Sequence, residues 1–285
     1  HVNLVLQQQS TWSAKLSLQL ENIQGRTKLV HQKHFGPLRV QKQFSQDDGS
    51  CHIYVLHPPG GLVGGDSLTV QIRVGADTQT LITSPSAAKA YRCAENALSQ
   101  RVSQVIEVAE NAHLEWLPQE TIFYDGAKAE IDNQVRLHSS SSFLGWEIQM
   151  LGRRASGEGF AKGAIDQSSR IWRADKLCHR ECLRVSGDNQ ISAWGLNSAS
   201  VLGTLVAIPK QGEVLSLENA VSRVQTLLSG QSWGVTLRGS TLLVRYLGDS
   251  TETCRLGFGQ ARKLLVEDGI FNGSTMGYEP RIWKT

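Results

Sequence analysis

Two short motifs in this 285-residue sequence place a serine where it could act as a nucleophile. The first runs from Gly230 to Gly234 and matches G-x-S-x-G, which requires a strand before the serine and a helix after it. Here the pattern predicts a helix before Ser232 and a strand after it. That fold also places its histidine after the serine, whereas no histidine follows His179. The motif therefore predicts a helix-to-strand turn.

The second motif, Ser86 to Lys89, matches S-x-x-K, in which one helical turn lets the lysine amine reach the serine hydroxyl. The companion S-D-N and K-T-G elements are absent, and residues 186–189 (SGDN) are only a near match. We expect a short turn after Pro85 with Lys89 at the surface. A serine acyl hydrolase that uses this pair remains the enzymatic alternative.

Paired glycines at positions 60–61 and 64–65 suggest a phosphate-binding loop, but they fit neither of the two common patterns for one. A strand is predicted after them, where a phosphate loop needs the start of a helix. Gly257 and Gly259 lack the third glycine of a dinucleotide motif. We expect no nucleotide site.

Residues 178–182 (CHREC) resemble metal ligands in composition. If they form a strand, the two thiols lie roughly 13 Å apart, too far to share an ion. The same strand parity puts His179 and Glu181 on the apolar side, where an ionised carboxylate needs a partner, a metal or water. Spacing alone favours a satisfied structural pair over a functional carboxylate.

Three further polar residues are ambiguous. Glu147 lies opposite the apolar face formed by residues 144, 146, 148 and 150, so the simplest expectation is solvent exposure. Asp66 ends a glycine-rich turn, where an Asx turn is the simplest interpretation. His57 precedes two prolines, and the sequence does not decide its role.

The elements that must position these residues are mainly strands. Alternating apolar and polar residues predict strands through the first two thirds, and helical spacing appears only late, with Ser216 as an expected N-cap and Gly257 and Gly259 as weak points. We predict one mainly β domain over residues 1–285, with a helix-containing part from about residue 200. The predicted strands are 53–56, 67–74, 80–83, 102–108, 131–137, 144–150, 201–208, 233–237 and 241–247, and the predicted helices are 217–228 and 251–266.

Composition excludes several classes of protein. With 40% hydrophobic and 19% charged residues and a formal net charge of +3, the chain is neither disordered nor a general nucleic-acid or membrane binder. Its five scattered cysteines do not form a disulfide framework, and reduced thiols suit a cytoplasmic protein. The first ten residues lack the layout of a secretory signal, and the densest apolar run, 201–208, is too short to span a bilayer.

Several short segments spread over the chain are specific only in combination. They are 36–38 (GPL), 51–66 (CHIYVLHPPGGLVGGD), 81–85 (LITSP), 88–92 (AKAYR), 114–120 (LEWLPQE), 151–153 (LGR), 157–158 (GE) and 280–283 (PRIW). Taken together, these segments resemble the UreD family of urease accessory proteins, called UreH in some organisms. The resemblance covers nearly the whole chain, and Ala90 departs from it where a bulky aromatic residue is expected.

This resemblance implies a non-enzymatic maturation scaffold made of layered β-helix-like sheets with two α-helices in the C-terminal third. It implies binding to the urease structural subunits, to UreF and, through UreF, to the GTPase UreG that supplies nickel. Nickel would be in transit and not tightly held. The chain itself would carry no nucleotide.

A path for Ni(II) requires carboxylate, imidazole and carbonyl ligands that bind weakly, because a site made of many soft ligands would retain the ion. A dissociation constant of 1 mM corresponds to only about 4 kcal/mol. We therefore expect Asp66, Glu147 and Glu181, with His57, to line such a path. The alternative, a structural adaptor that does not contact nickel, stays open.

Other residues of the matching segments could be functional or could lock turns through charge-assisted hydrogen bonds, and we favour the structural role. They are Gly64, Gly65, Lys89, Tyr91, Arg92, Arg153 and Glu158.

Overall fold

The computed structural model describes residues 11–57, 61–273 and 279–284, which form two large β-sheets and three α-helices. Strands are numbered in chain order. The first sheet contains β1 (Ser13–Ile23), β2 (Arg26–Phe35), β5 (Ser67–Val74), β8 (Gln100–Val108), β11 (Lys128–Leu137), β13 (Ala164–Arg173) and β14 (Lys176–Ser186). The second contains β3 (Arg39–Ser45), β4 (Cys51–Leu56), β6 (Gln79–Thr83), β7 (Ala88–Ala90), β9 (His113–Leu117), β10 (Thr121–Phe123), β12 (Ser142–Leu151), β15 (Val201–Ile208), β16 (Trp233–Arg238) and β17 (Thr241–Gly248).

The chain winds between the two sheets. From β4 to β13 the long strands alternate between the second sheet and the first, and neighbours within each sheet are parallel. This winding is that of a two-sheet β-helix, so the mainly β, layered, β-helix-like prediction is confirmed. Antiparallel strands complete both sheets: β2 and β14 at the edges of the first, and β3 and β15 to β17 at the ends of the second.

Every predicted strand is present, with ends that differ by at most three residues. In β5, Leu68, Val70, Ile72 and Val74 are buried, as their alternation predicts, because this face meets the second sheet. The opposite face of β5 carries polar residues and is more exposed. One apolar cluster with residues of both sheets therefore lies between them.

The second sheet is covered on its other face by helices, which makes three layers. Helix α1 (Gly187–Ile191) is one turn long, whereas α2 (Val214–Leu227) and α3 (Thr251–Glu267) are the two predicted long helices. The latter two pack on β12, β15 and β16 and form a second apolar cluster with their buried residues. None of the helices in the described ranges combines the length and apolarity needed to cross a membrane.

Helix ends differ from the prediction in two places. Helix α2 starts after Glu213, and Ser216 lies inside its first turn, where the hydroxyl donates to the Glu213 carboxylate at 2.7 Å. The expected N-cap was therefore wrong. Helix α1 was not predicted, because its five residues are too few to show a period; it is held by a capping box between Ser186 and Asn189.

Glycine is required inside α3 despite its cost to a helix. A Cβ at Gly257 would lie 2.3 Å from the ring of Trp233 in β16, so the position has no room for a side chain. Gly259 meets nothing within 4 Å and has no such reason in the structure.

Replacing Gly203 in β15 with Ala is expected to lower the free energy of unfolding by about 1–3 kcal/mol, because its Cβ would lie 2.3 Å from Cys254 Sγ beneath α3. Urea denaturation measures this change. The matched control is Gly234→Ala in β16, where nothing lies within 4 Å and the free energy should stay the same or rise by about 0.5 kcal/mol. Equal losses in both variants would contradict this account of the β15–α3 contact.

Candidate functional site

The interior between the two sheets is hollow near the middle of β12. Glu147 lines three adjoining cavities. Their volumes, counted as the space that the centre of a water molecule can occupy, are about 70, 90 and 200 Å³. Together we call them the inter-sheet cavity. Besides Glu147, its polar lining residues are His57, Lys89, Gln100, Gln104, Gln119, Thr121, Asn133, Gln134, Gln149, Gln167, Ser169, Arg170, His179, Glu181, Thr204, Arg245 and Tyr246.

Glu147 is the residue where these spaces meet. It was expected to be exposed, but it is half-buried, because β12 is covered by helices on one face and by the first sheet on the other. Its carboxylate accepts hydrogen bonds from the side-chain amides of Asn133 in β11 and Gln167 in β13. Burial, aided by the charge of Glu181, raises the pKa of Glu147 from 4.5 to about 7, although the two amides oppose the rise.

Two amide oxygens beside Glu147 have no hydrogen-bond partner within the described part of the chain. They are Oδ1 of Asn133 and Oε1 of Gln149, and both are buried. Gln149 uses its side-chain amide nitrogen to donate to the side-chain oxygen Oε1 of Gln167. A buried acceptor without a partner is costly, so these oxygens suit water or a cation within the cavity, which has room for either.

Glu181 lines the same space from β14, on the inward parity that the sequence predicted. Its carboxylate lies 2.5 Å from Nη1 of Arg245 in β17 and 3.6 Å from Nε2 of His179. Burial would raise the pKa of Glu181, but hydrogen bonds from His179 and Arg245 outweigh it and hold the pKa below its ordinary value. The carboxylate is therefore ionised and paired.

His57 and Lys89 line another part of the cavity. Burial lowers the pKa of His57 to about 4, so its imidazole is neutral at pH 7 and can act as a ligand. Lys89 was expected at the surface after a turn, but it is half-buried in β7, which pairs with β10. The motif residues Ser86 to Lys89 thus lead into a strand and do not form the helical turn that S-x-x-K catalysis needs.

Asp66 does not line the inter-sheet cavity. It is fully buried, and its carboxylate accepts from the backbone N–H groups of Trp12 at 3.1 Å and Val63 at 2.8 Å. An Asx turn would use an N–H after the aspartate, so that detail was wrong, but the carboxylate does stabilise the turn. The glycines beside it are sterically required, since a Cβ at Gly64 or Gly65 would lie within 2.7 Å of a neighbouring side-chain carbon.

The remaining motif residues fix turns next to the cavity. Arg153 and Glu158 form an ion pair at 2.7 Å and an antiparallel backbone bridge. The Arg153 guanidinium lies 4.4 Å from the ring of Tyr124, which contacts the ring of Tyr91 at 4.6 Å. Arg92 Nη2 lies 4.0 Å from the carboxylate of Asp125. These contacts show how the side chains hold their turns, and the choice between a structural and a functional role stays a prediction.

Several site residues were missed by sequence reasoning. Asn133 shares strand parity with the apolar Ile131 and Val135, and Gln167 shares it with Ile165. A polar residue on an apolar parity was the available signal. The sequence carried no such signal for Arg245, because its place beside Glu181 depends on how β17 and β14 are arranged in space.

The site is not a preformed chelate. Across residues 11–57, 61–273 and 279–284, no three His, Cys, Asp or Glu side chains are grouped closely enough to hold a metal ion. Cys178 and Cys182 both lie at even-numbered positions of β14. Cys178 is half-buried and Cys182 is exposed. The cavity therefore offers scattered oxygen and imidazole groups, not one tight site.

Comparisons with known proteins agree on one family. The family model described as UreD urease accessory protein matches residues 13–284. Three curated relatives carry the name urease accessory protein UreD. They come from Saccharophagus degradans (39% identity over 96% of this chain and 93% of the relative), a Janthinobacterium species (38%, 95% and 91%) and Alcanivorax borkumensis (37%, 96% and 92%).

Proposed function

Because this chain belongs to the UreD family of urease accessory proteins, with a role in urease maturation, we propose that it is a scaffold that conducts Ni(II) toward the urease active site. The observation that carries this proposal is the inter-sheet cavity, with Glu147 at the junction of its three parts. The named relatives are accessory proteins, which supports a non-enzymatic role.

The chemistry of the lining suits a divalent cation in transit. Carboxylates of Glu147 and Glu181, the neutral imidazole of His57 and the free amide oxygens of Asn133 and Gln149 are donors that accept Ni(II) without the retention expected of thiolates. Because they are dispersed along the cavity, each contact is weak, and the ion can pass from one to the next. The pKa of Glu147 near 7 leaves its charge available at neutral pH.

Asp66 enters this proposal in a supporting role. Both of its carboxylate oxygens already accept backbone N–H groups, one from Trp12 and one from Val63. We assign it to holding the glycine-rich loop and not to contact with the ion.

The assembly partners in this proposal are the urease structural subunits, UreF and, through UreF, UreG, in the cytoplasm. They follow from membership of the family and not from a surface of the structure. Nickel is cargo in this scheme, and no resident cofactor is invoked.

Substituting Glu147 and Glu181 together with Ala should lower the rate of nickel transfer into apo-urease by about tenfold, equivalent to about 1.4 kcal/mol. The reason is the loss of both cavity carboxylates. Nickel per urease, measured by mass spectrometry in the reconstituted complex, reports the effect, and size-exclusion chromatography reports assembly. The control is Glu107→Ala with Glu130→Ala, two carboxylates on the outer face of the first sheet whose side chains are about half exposed.

Loss of transfer with an intact complex would support the conduit. Normal transfer by the Glu147 and Glu181 variant, in a complex that still assembles, would reject the conduit and leave a structural adaptor. Loss of assembly in this variant but not in the control would show that the carboxylates act on folding or docking.

A further inference from the structure

The positive charge of this chain is concentrated in one segment. Residues 26–45 contain no Asp or Glu, and outside them the chain has 24 basic against 26 acidic residues. The formal charge of +3 therefore comes from this segment alone. Its cations are Arg26, Lys28, Lys33, Arg39 and Lys42, and two histidines, His31 and His34, accompany them.

These cations are exposed, and none of them forms an ion pair with another described residue, although Glu21 of β1 lies opposite Lys28 in the strand register. All five are on the surface of β2 or β3, and the ion pairs found in the described ranges all lie elsewhere. Arg26 makes a long contact of 3.5 Å with the Gln46 carbonyl, and Lys42 lies 4.9 Å from the ring of Phe44. Their charge is therefore available to an anionic partner.

The same segment ends both sheets on one side of the molecule. β2 is the last strand of the first sheet and β3 the last of the second. Outside its ladder with β1, the one backbone hydrogen bond of β2 to another described residue runs from Thr27 N–H to the Gly49 carbonyl, at 2.8 Å. Beyond that point, the outer backbone edge of β2 pairs with none of the residues that the structure describes, and Val30 and Phe35 are exposed by 49% and 68%.

We propose that this basic edge, β2 from Lys28 to Phe35 together with the cations of β2 and β3, binds an extended acidic segment of a partner protein by strand addition. A peptide backbone supplies both donors and acceptors to an open edge, whereas a phosphate backbone supplies acceptors only. The register shift between Leu29 and His31 leaves Lys28 and Lys33 on the same face of β2, so alternating acidic side chains of one bound strand would meet both.

A second copy of the chain fits this edge poorly, since pairing two copies would bring ten cations together. Protection of an edge against self-pairing also uses charged residues, lysine in particular. A segment with five cations and no acidic residue still favours a partner of negative charge, which is the sign proposed here.

The test uses the full chain and a fluorescent peptide of about ten residues that alternates Glu and Val, a typical strand length. We expect binding in anisotropy titrations, weakening with salt, and slower hydrogen exchange at β2 amides in the complex. Lys28→Glu with Lys33→Glu should weaken binding by at least about tenfold, as removal of two charge pairs predicts. Lys162→Glu with Lys176→Glu, which changes two exposed lysines elsewhere by the same charge, should not.

Two further probes separate strand addition from charge attraction. The same peptide with alternate N-methylated residues keeps its charge but cannot pair with the edge, so it should bind much more weakly. Equal binding of that peptide, equal competition by a single-stranded oligonucleotide without β2 protection, or no binding of the Glu-Val peptide would each overturn the proposal. Concentration-dependent dimerisation abolished by the Lys28 and Lys33 changes would assign the edge to a second copy instead.

This inference does not depend on nickel transfer. Failure of the cavity variants would leave the peptide result unaffected, and the reverse also holds.

Discussion

Replacing Arg262 with Met is expected to lower the free energy of unfolding by about 3–5 kcal/mol, because it leaves a buried carboxylate without its partner. Arg262 extends from α3 to Glu115 in β9, with Nε at 2.5 Å and Nη2 at 3.3 Å from the two carboxylate oxygens. Both side chains are nearly inaccessible, at 3% and 0% exposure. Burial alone would raise the pKa of Glu115, and the Arg262 charge, with a contribution from His113, instead holds it below its ordinary value.

Chemical denaturation at pH 7 measures this loss, and two further variants interpret it. Arg73→Met breaks an ion pair with Glu107 whose side chains are 72% and 47% exposed, and it should cost less than about 1 kcal/mol. Replacing Glu115 and Arg262 together with Met should recover much of the loss, because no unpaired charge remains. A single variant as stable as the wild type would refute the buried-pair account.

Replacing Glu147 with Gln is expected to stabilise the protein increasingly as the pH rises from 4.5 to 7, by up to about 3 kcal/mol at pH 8. The folded-state pKa of Glu147 is about 7 against an ordinary 4.5, so the folded state holds the proton more tightly than the unfolded state. Stability from this group is complete below pH 4.5 and is lost as the pH rises through 7. Glutamine cannot ionise, so the variant should lack this loss and should match the wild type at pH 4.5.

The difference between the two proteins across pH 4.5 to 8 isolates Glu147. His52 and His57, with pKa values of about 4, act with the opposite sign below pH 6.5 and cancel in the comparison. The matched control is Glu130→Gln, which makes the same change at a carboxylate 55% exposed on the outer face of β11. Parallel stability curves for the wild type and Glu147→Gln would show that the Glu147 carboxylate is solvated and not desolvated by the cavity wall.

The strands were predictable because each has one face against the other sheet, and that difference produces a period of two in the sequence. β5 shows this directly: its four buried residues are the four apolar ones. β12 misled the same reasoning, since both of its faces are covered and its apolar side, with Trp146, meets helices. A single strand cannot reveal what covers its second face, so Glu147 was assigned to solvent.

In the candidate site, too, strand parity could be predicted from the sequence, whereas contacts between distant strands could not. Glu181 and His179 were placed inward by parity alone, and this was confirmed. The amides that hold Glu147 come from strands separated from it by 14 and 20 residues, and Arg245 lies 64 residues from Glu181. Such groupings arise from the winding of the chain between sheets, which local patterns do not encode.

The pairing of Arg262 with Glu115 also sets an order on synthesis. These residues are 147 positions apart, so β9 leaves the ribosome long before α3 can cover it. Until then the nascent chain carries a bare acidic group on an uncovered apolar sheet, a state prone to sticking to other chains. Synthesis of α3 is therefore the step that covers the second sheet and pairs the Glu115 carboxylate. Chains that end before α3 should be degraded or should aggregate.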